Sequence, residues 1–371
     1  MKILNVDYDN CVTNLTSSIQ KHYGLEPYYK TNDIIDKYLE KDYDNVIIFL
    51  FDAMGNSIID ANTTENHFLR KHRISKMTST YPPTTASCTI SYLTGLNPIS
   101  TGWLGWASYF KDLNLAVDNF TNEDTYNKEL IPGNNIAYNL LKYEKLGSII
   151  EKKTNGKIKY HEVYPVRTFP QTGCKTLDEF ADKIINICNN GGKNYIYAYW
   201  NNPDGIMHEV GPKNDEVKSC LAKIAKTLKK IQKHTHNTIG IVSADHSMID
   251  VTPICFYTYY DLVSKLALPF TGDARTPMFF LKDKNDKSFE TLFNQYFEGK
   301  YKLFSKDEVI KMGLFGTGTP HKMFNDLVGD YVAVATDRYY FMQTPDSHFF
   351  KGHHAGATDD EASIPLIIIE S

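Results

Sequence analysis

No stretch of this chain approaches the ~18 consecutive apolar residues that a membrane-spanning helix needs, so no membrane association is expected. The first residues, MKILNVDYDNCVTNL, lack the uninterrupted apolar core of a secretory leader. Cysteine is sparse: six among 371 residues, scattered, with no CxxC pair. That pattern predicts reduced, mostly buried thiols in a cytoplasmic protein. An excess of one charge is missing as well. Lys and Arg total 40 against 44 Asp and Glu, a net −4, so no basic face is implied for gripping a nucleic-acid polymer. No internal repeat or low-complexity tract is visible. The composition says nothing about oligomeric state.

What is present is an ordinary globular composition, 42% hydrophobic and 23% charged, with room for a large core. Apolar runs of strand length alternate with helical patterns. NVIIFLF (45–51), NYIYAYW (194–200), NTIGIVS (237–243) and IPLIIIE (364–370) are apolar on both faces. Such runs suit strands covered on both sides. Between the second and third lies DEVKSCLAKIAKTLKKIQKH, apolar at helical spacing with lysines opposite. The expected class is therefore α/β, a mainly parallel sheet with helices on both faces. We read residues 1–371 as one domain, with 267–342 a small inserted α+β subdomain, and 118–176 as connecting structure.

In open α/β sheets, ligands bind beyond the carboxyl ends of the strands. Asp52, Asp204 and the Asp245-His246 pair all fall at such ends. In PDGIMHEVGP, Asp204 and His208 are four apart, so on a helix they share one face and can meet one metal ion. The plainer alternative is a capping Asp with a surface His. SADHS reads as an acid–imidazole pair at a strand end or as a simple turn. In GHHAGATDDEASIP, glycines let two histidines approach a site closely, or the segment is only a polar loop. Asp52 faces water or a metal after seven strand residues, or caps the next helix. Together these residues suit two divalent cations with mixed N/O ligands, zinc or manganese.

The stretch STYPPTTASCTISYLTGLNP adds a pair of threonines at a helix start. One reading is that Thr84 or Thr85 caps the helix. The other is that a metal lowers the hydroxyl pKa of Thr85 and makes it a nucleophile.

Taken in order, LFDAMG, PPTTAS…LTGLNP, PDGIMHEVGP, SADHS and HHAGATDDE…IP resemble the alkaline phosphatase superfamily, in its type I phosphodiesterase/nucleotide pyrophosphatase branch. The resemblance runs from about Asn45 to the C-terminus. It implies an alkaline-phosphatase-like catalytic domain and a nucleophile nine residues before the Thr of Thr-Gly-Leu-x-Pro, which is Thr85. It assigns one metal to Asp204, His208 and His354, with His353 one residue away, and the other to Asp52, Thr85, Asp245 and His246. It implies that Thr85 attacks phosphorus to give a phospho-threonine-type intermediate, which water then hydrolyses. The implied substrate is a small phosphodiester or a nucleotide pyrophosphate. Where family members place a phosphoryl-binding asparagine, this chain has Trp106. Trp103, Trp106 and Tyr109 are candidates for an aromatic wall or are plain core aromatics, and Arg275 either contacts a substrate anion or, more simply, forms a surface ion pair. The alternatives are a phosphomonoesterase, phosphonate hydrolase or phosphomutase on the same core, or a metal-free binding protein that keeps the fold. A sulfatase is disfavoured, because no Cys-x-Pro-x-Arg surrounds Thr85.

Overall fold

The computed structural model describes residues 6–166, 168, 171–342 and 347–371. Its centre is a six-stranded sheet. The strand order is Arg73–Thr78, Ser363–Glu370, Thr238–Ser243, Asn45–Phe51, Lys193–Trp200, Ile158–Val163. Every residue of Asn45–Phe51 is buried, because helices cover both faces and leave no polar side to the strand. It lies parallel to both neighbours, with Val46 opposite Tyr195 and Ile239. The Asp215–His234 helix buries Val217, Leu221, Ile224, Leu228 and Ile231 on one stripe. Asn214 caps its start through the Glu216 N–H, and Lys233 and His234 sit at its negative end.

The sheet is mainly parallel, as expected, with one exception, and one further expectation needs amending. The final strand, Ser363–Glu370, is antiparallel to both of its neighbours. The segment read as connecting structure contains a sheet strand, Ile158–Val163, and a helix, Leu146–Lys153. The strand escaped notice because it lies at the sheet edge. Only Ile158 and Val163 are buried, so IKYHEV carries no apolar run.

A second sheet of seven strands stands beside the first, in the order Tyr301–Ser305, Tyr331–Ala335, Thr276–Phe279, Thr271–Asp273, Ala107–Phe110, Leu115–Asp118, Glu123–Asp124. The later part of the chain thus shares its sheet with strands from 107–124. A separate aromatic core underlies it, including Phe256, Phe279, Phe289, Phe293, Phe297 and Phe341. Burying each such ring contributes about 1.5–3 kcal/mol. All six cysteines are free, and five are buried.

Strand direction fixes where the chemistry falls. The strands ending at Phe51, Trp200 and Ser243 are mutually parallel and finish at one rim. Arg73–Thr78 runs antiparallel to the final strand, which is antiparallel to Thr238–Ser243. Arg73–Thr78 therefore ends at the same rim and hands the chain to Thr85, while the final strand begins there, just after His354.

Candidate active site

Two groups of side chains meet at this rim. In one, Asp52, Asp245 and His246 bring ligand atoms within 4.8 Å of one another; in the other, Asp204, His208 and His354 do the same. Asp52 Oδ1 is 3.3 Å from His246 Nε2, and Asp204 Oδ1 is 3.4 Å from His208 Nε2 and 3.8 Å from His354 Nε2. The His246 and His354 rings stack with centroids 3.7 Å apart, so the groups adjoin. Thr85 Oγ1 lies inside the first group, 3.1 Å from His246 Nε2 and 3.4 Å from Asp52 Oδ1.

Local structure aims each group. Ala53 adopts a left-handed backbone (φ 58°) and donates its N–H to Asp245 Oδ1 at 3.0 Å. Gly55 follows because no side chain fits: a Cβ there would lie 2.0 Å from Ser247 Cβ. Asp204 opens the Asp204–Val210 helix, and His208 follows one turn later on the same face. The Asp204 N–H donates to the Asp52 carbonyl at 3.1 Å, so the two groups are tied through backbone. Tyr199 donates its hydroxyl to Asp52 Oδ2.

The imidazoles share one orientation. Nδ1 of His246 faces the Ser247 carbonyl at 2.9 Å, Nδ1 of His208 the Gly352 carbonyl at 2.9 Å, and Nδ1 of His354 the Pro83 carbonyl at 3.2 Å. A carbonyl only accepts, so each Nδ1 carries a proton and each Nε2 faces inward. Metal-binding histidines are held this way. His353 differs, since its Nδ1 lies near both the His354 N–H at 2.9 Å and the His354 carbonyl at 3.1 Å, and these contacts do not select one tautomer.

The electrostatics describe a site short of positive charge. Burial pushes the Asp245 carboxyl well above the usual range, and the neighbouring Asp52 charge adds to it. Burial alone would lower His246, but Asp245 and Asp52 outweigh it and carry the imidazole up to about 10. Burial takes His208 down to about 4 and His354 well below its ordinary value. Asp245 Oδ2 is buried and has no hydrogen-bond partner among the described residues. An orphaned carboxylate oxygen beside a second buried carboxylate, with inward Nε2 atoms, fits divalent cations that accept mixed N/O donors.

The two threonines have different tasks. Thr84 is the N-cap of the Thr85–Thr94 helix, yet its side chain makes no cap bond. Its hydroxyl donates instead to Asp273 Oδ1 at 3.1 Å. The helix start is left without a side-chain cap, and its N–H groups and dipole favour an anion.

A cavity of about 700 Å3 opens over these residues, lined by Thr85, Asp204, His208 and His354 at one end. Trp106 lines it and is 38% exposed. Trp103 does not. It is wholly buried against Phe120 and Tyr138, with its Nε1–H donated to the Leu141 carbonyl at 3.2 Å. Tyr109 packs on Phe280 and donates to Asn114, away from the cavity lining. The aromatic wall expected from these three residues reduces to Trp106. Arg275 also needs correction, because it is not a substrate contact. Its guanidinium is fully buried, paired with Glu361 at 2.6 and 2.8 Å, and donates to the Asp337 and Tyr339 carbonyls.

Sequence reasoning passed over Asp273 and Tyr199. Burial raises the Asp273 carboxyl to about 7, against the lowering effect of its bonds from Thr84 and the Trp106 N–H. Its Oδ2 accepts that N–H at 3.2 Å. The only signal was a Gly-Asp pair before Arg275, and nothing in it speaks of Thr84, 189 residues away.

An α/β sheet with a threonine hydroxyl set among paired carboxylates and imidazoles at its carboxyl rim is the arrangement of a phosphoric ester hydrolase. The profile of the type I phosphodiesterase/nucleotide pyrophosphatase family matches residues 46–357, and the chain belongs to that family. It is an enzyme of the phosphodiesterase/nucleotide pyrophosphatase type, hydrolysing phosphodiester bonds. Solved structures share the fold at low identity. Murine ectonucleotide pyrophosphatase/phosphodiesterase 5 superposes with a TM-score of 0.65 at 18% identity, over 86% of this chain and 87% of that one. An inactive variant of the murine protein in complex with AMP gives 0.65 at 17%, over 88% and 87%. The human counterpart gives 0.65 at 15%, over 86% and 87%.

Proposed function

We propose that the enzyme cleaves small phosphodiesters or nucleotide pyrophosphates through a covalent ester on Thr85, with two divalent cations, zinc or manganese, resident at the rim. Asp204, His208 and His354 would hold one cation; Asp52, Asp245, His246 and Thr85 Oγ1 would hold the other. When bound, the cations lower the hydroxyl pKa of Thr85 and neutralise charge on the phosphoryl group. Thr85 Oγ1 attacks phosphorus, a new P–O bond forms, and the bond to the leaving group breaks. Water then cleaves the Thr85 ester and restores the hydroxyl. The uncapped helix start receives a non-bridging oxygen through backbone N–H groups. The AMP held by the murine neighbour supports a nucleotide as one substrate arm.

The observation that carries this reading is the division of labour between the threonines. Thr84 is committed to Asp273, while Thr85 Oγ1 sits 3.1 Å from His246 Nε2. Thr85→Ala should reduce turnover of bis(p-nitrophenyl) phosphate by ~10³-fold or more, with an unchanged melting curve. Turnover near the parent rate would dismiss Thr85 as nucleophile.

A further inference from the structure

The Thr85 segment is flanked by two residues outside any helix or strand, Tyr81 before it and Asn97 after it. Each is 1% exposed, so its backbone N–H needs a partner other than water. Two tyrosines from the start of the chain supply one each. The Tyr8 hydroxyl accepts the Tyr81 N–H at 3.2 Å and donates to the Leu314 carbonyl at 3.0 Å. The Tyr29 hydroxyl accepts the Asn97 N–H at 3.1 Å and donates to the Thr317 carbonyl at 3.1 Å. A phenol can do both at once, so each hydroxyl bridges one flank to the 313–318 turn. Asn97 is tied further. Thr13 Oγ1 donates to its Oδ1 at 3.1 Å, and its Nδ2 donates to the Thr317 carbonyl at 3.0 Å. Gly316 lets the turn come this close, since a Cβ there would lie 2.6 Å from Asn97 Cγ. The Val12–His22 helix, between the two tyrosines, packs against the Thr85–Thr94 helix. Both tyrosines precede residue 46, where the family match begins, so the bridges lie outside the part of the chain that the family shares.

We infer that Tyr8 and Tyr29 are positioning residues, which clamp the nucleophile segment at both ends and fix Thr85 Oγ1 against the rim. The inference rests on the reading of Thr85 as the nucleophile. Tyr81 lies four residues before Thr85, and between them the Pro83 carbonyl holds His354 Nδ1 at 3.2 Å. A shift at Tyr81 therefore moves a ligand together with the attacking oxygen. Asn97 anchors the far end of the helix, three residues past Thr94. Neither tyrosine lines the cavity, so the effect passes through backbone and not through contact with substrate. A displacement of about 1 Å at a reacting group can cost ~10²-fold in rate. Binding of the ester depends less on that oxygen, so the loss falls on kcat rather than on KM.

Tyr8→Phe and Tyr29→Phe keep the rings and delete the bridging oxygens. Well below the melting transition, each should lower kcat for bis(p-nitrophenyl) phosphate about tenfold, with KM within about twofold of the parent. Amide hydrogen exchange gives a readout that needs no turnover. Peptides spanning 81–97 should exchange about tenfold or more faster in each variant, while those from Asn45–Phe51 keep the parent rate. Parent-like kcat in both variants overturns the inference. Acceleration that spreads equally to Asn45–Phe51 overturns it too, because the tyrosines then serve global stability alone. Should the variants fail to fold, exchange in the parent decides. The Tyr81 and Asn97 amides should be protected like those within Thr85–Thr94, and exchange at open-loop rates overturns the clamp. A parent that hydrolyses no diester strikes the phosphodiesterase reading instead, and the exchange comparison still judges the clamp.

Discussion

Two buried charged side chains hold this site together from behind, and neither has a metal-ligand role. Arg275 and Glu361 form a fully buried pair, and Glu361 Oε1 also accepts the Gly356 N–H at 2.8 Å, two residues beyond His354. Removing one partner leaves the other charged and unpaired, so Arg275→Met should destabilise the fold by about 3–5 kcal/mol in urea unfolding. A loss under about 1 kcal/mol would mean that the pair is dispensable. Asp273 gives a pH signature. Its folded-state pKa is raised to about 7, so folding takes up a proton between the unfolded value near 3.8 and 7. Its contribution is complete below about pH 4 and is lost as pH rises through about 7. In the metal-free protein, Asp273→Asn should therefore gain stability relative to the parent across that window, by on the order of a few kcal/mol. Parallel stability curves would refute the assignment. At this scale the sequence was informative wherever spacing is local. Asp204 and His208 are readable because four residues make one helical turn. Arg275 misled because a cation beside a proposed site looks the same in sequence whether it faces ligand or core. Asp273 was silent because its partners lie far away along the chain.

The elements matter here for where they end. The Thr85–Thr94 helix is useful because its first turn lacks a side-chain cap, and the short Asp204–Val210 helix because it presents two ligands on one face. The Asn56–Asn62 helix sets how closely the Asp52 loop approaches the Asp245-His246 turn, and Gly55 is its N-cap. A Cβ at Gly55 would meet Ser247 Cβ at 2.0 Å and Cα at 2.8 Å, and neither is the far end of a flexible chain. Gly55→Ala should push the two loops apart, with a loss of about 1–3 kcal/mol in stability and about tenfold or more in kcat/KM. Parent-like values in both would show that the contact is slack. Strands buried on both faces were legible as continuous apolar runs. The edge strand Ile158–Val163 was not, because an edge strand needs little apolar surface. The strands at 107–124 were missed for a related reason. Their sheet is built with partners near residues 271–279, and no local pattern specifies pairing across such a distance.

For the whole molecule, topology gathers the chemistry. Four parallel strands and one antiparallel C-terminal strand bring five distant segments to one rim, and the second sheet closes a cavity above it. The α/β class and the rim were legible in the alternation of runs and in the acids that end them. The walls of the cavity were not, since they come from a sheet assembled out of two separate parts of the chain. The central claim is that seven side chains from Asp52 to His354, Thr85 among them, form a holder for two cations. Its most direct test is the number of divalent ions per chain, counted by elemental analysis after metal-free protein is reloaded with zinc or manganese and freed of excess. We predict two per chain, falling to one in His208→Ala, with diester turnover absent from the metal-free protein and restored on loading. Full turnover by protein that holds no divalent ion would contradict the account.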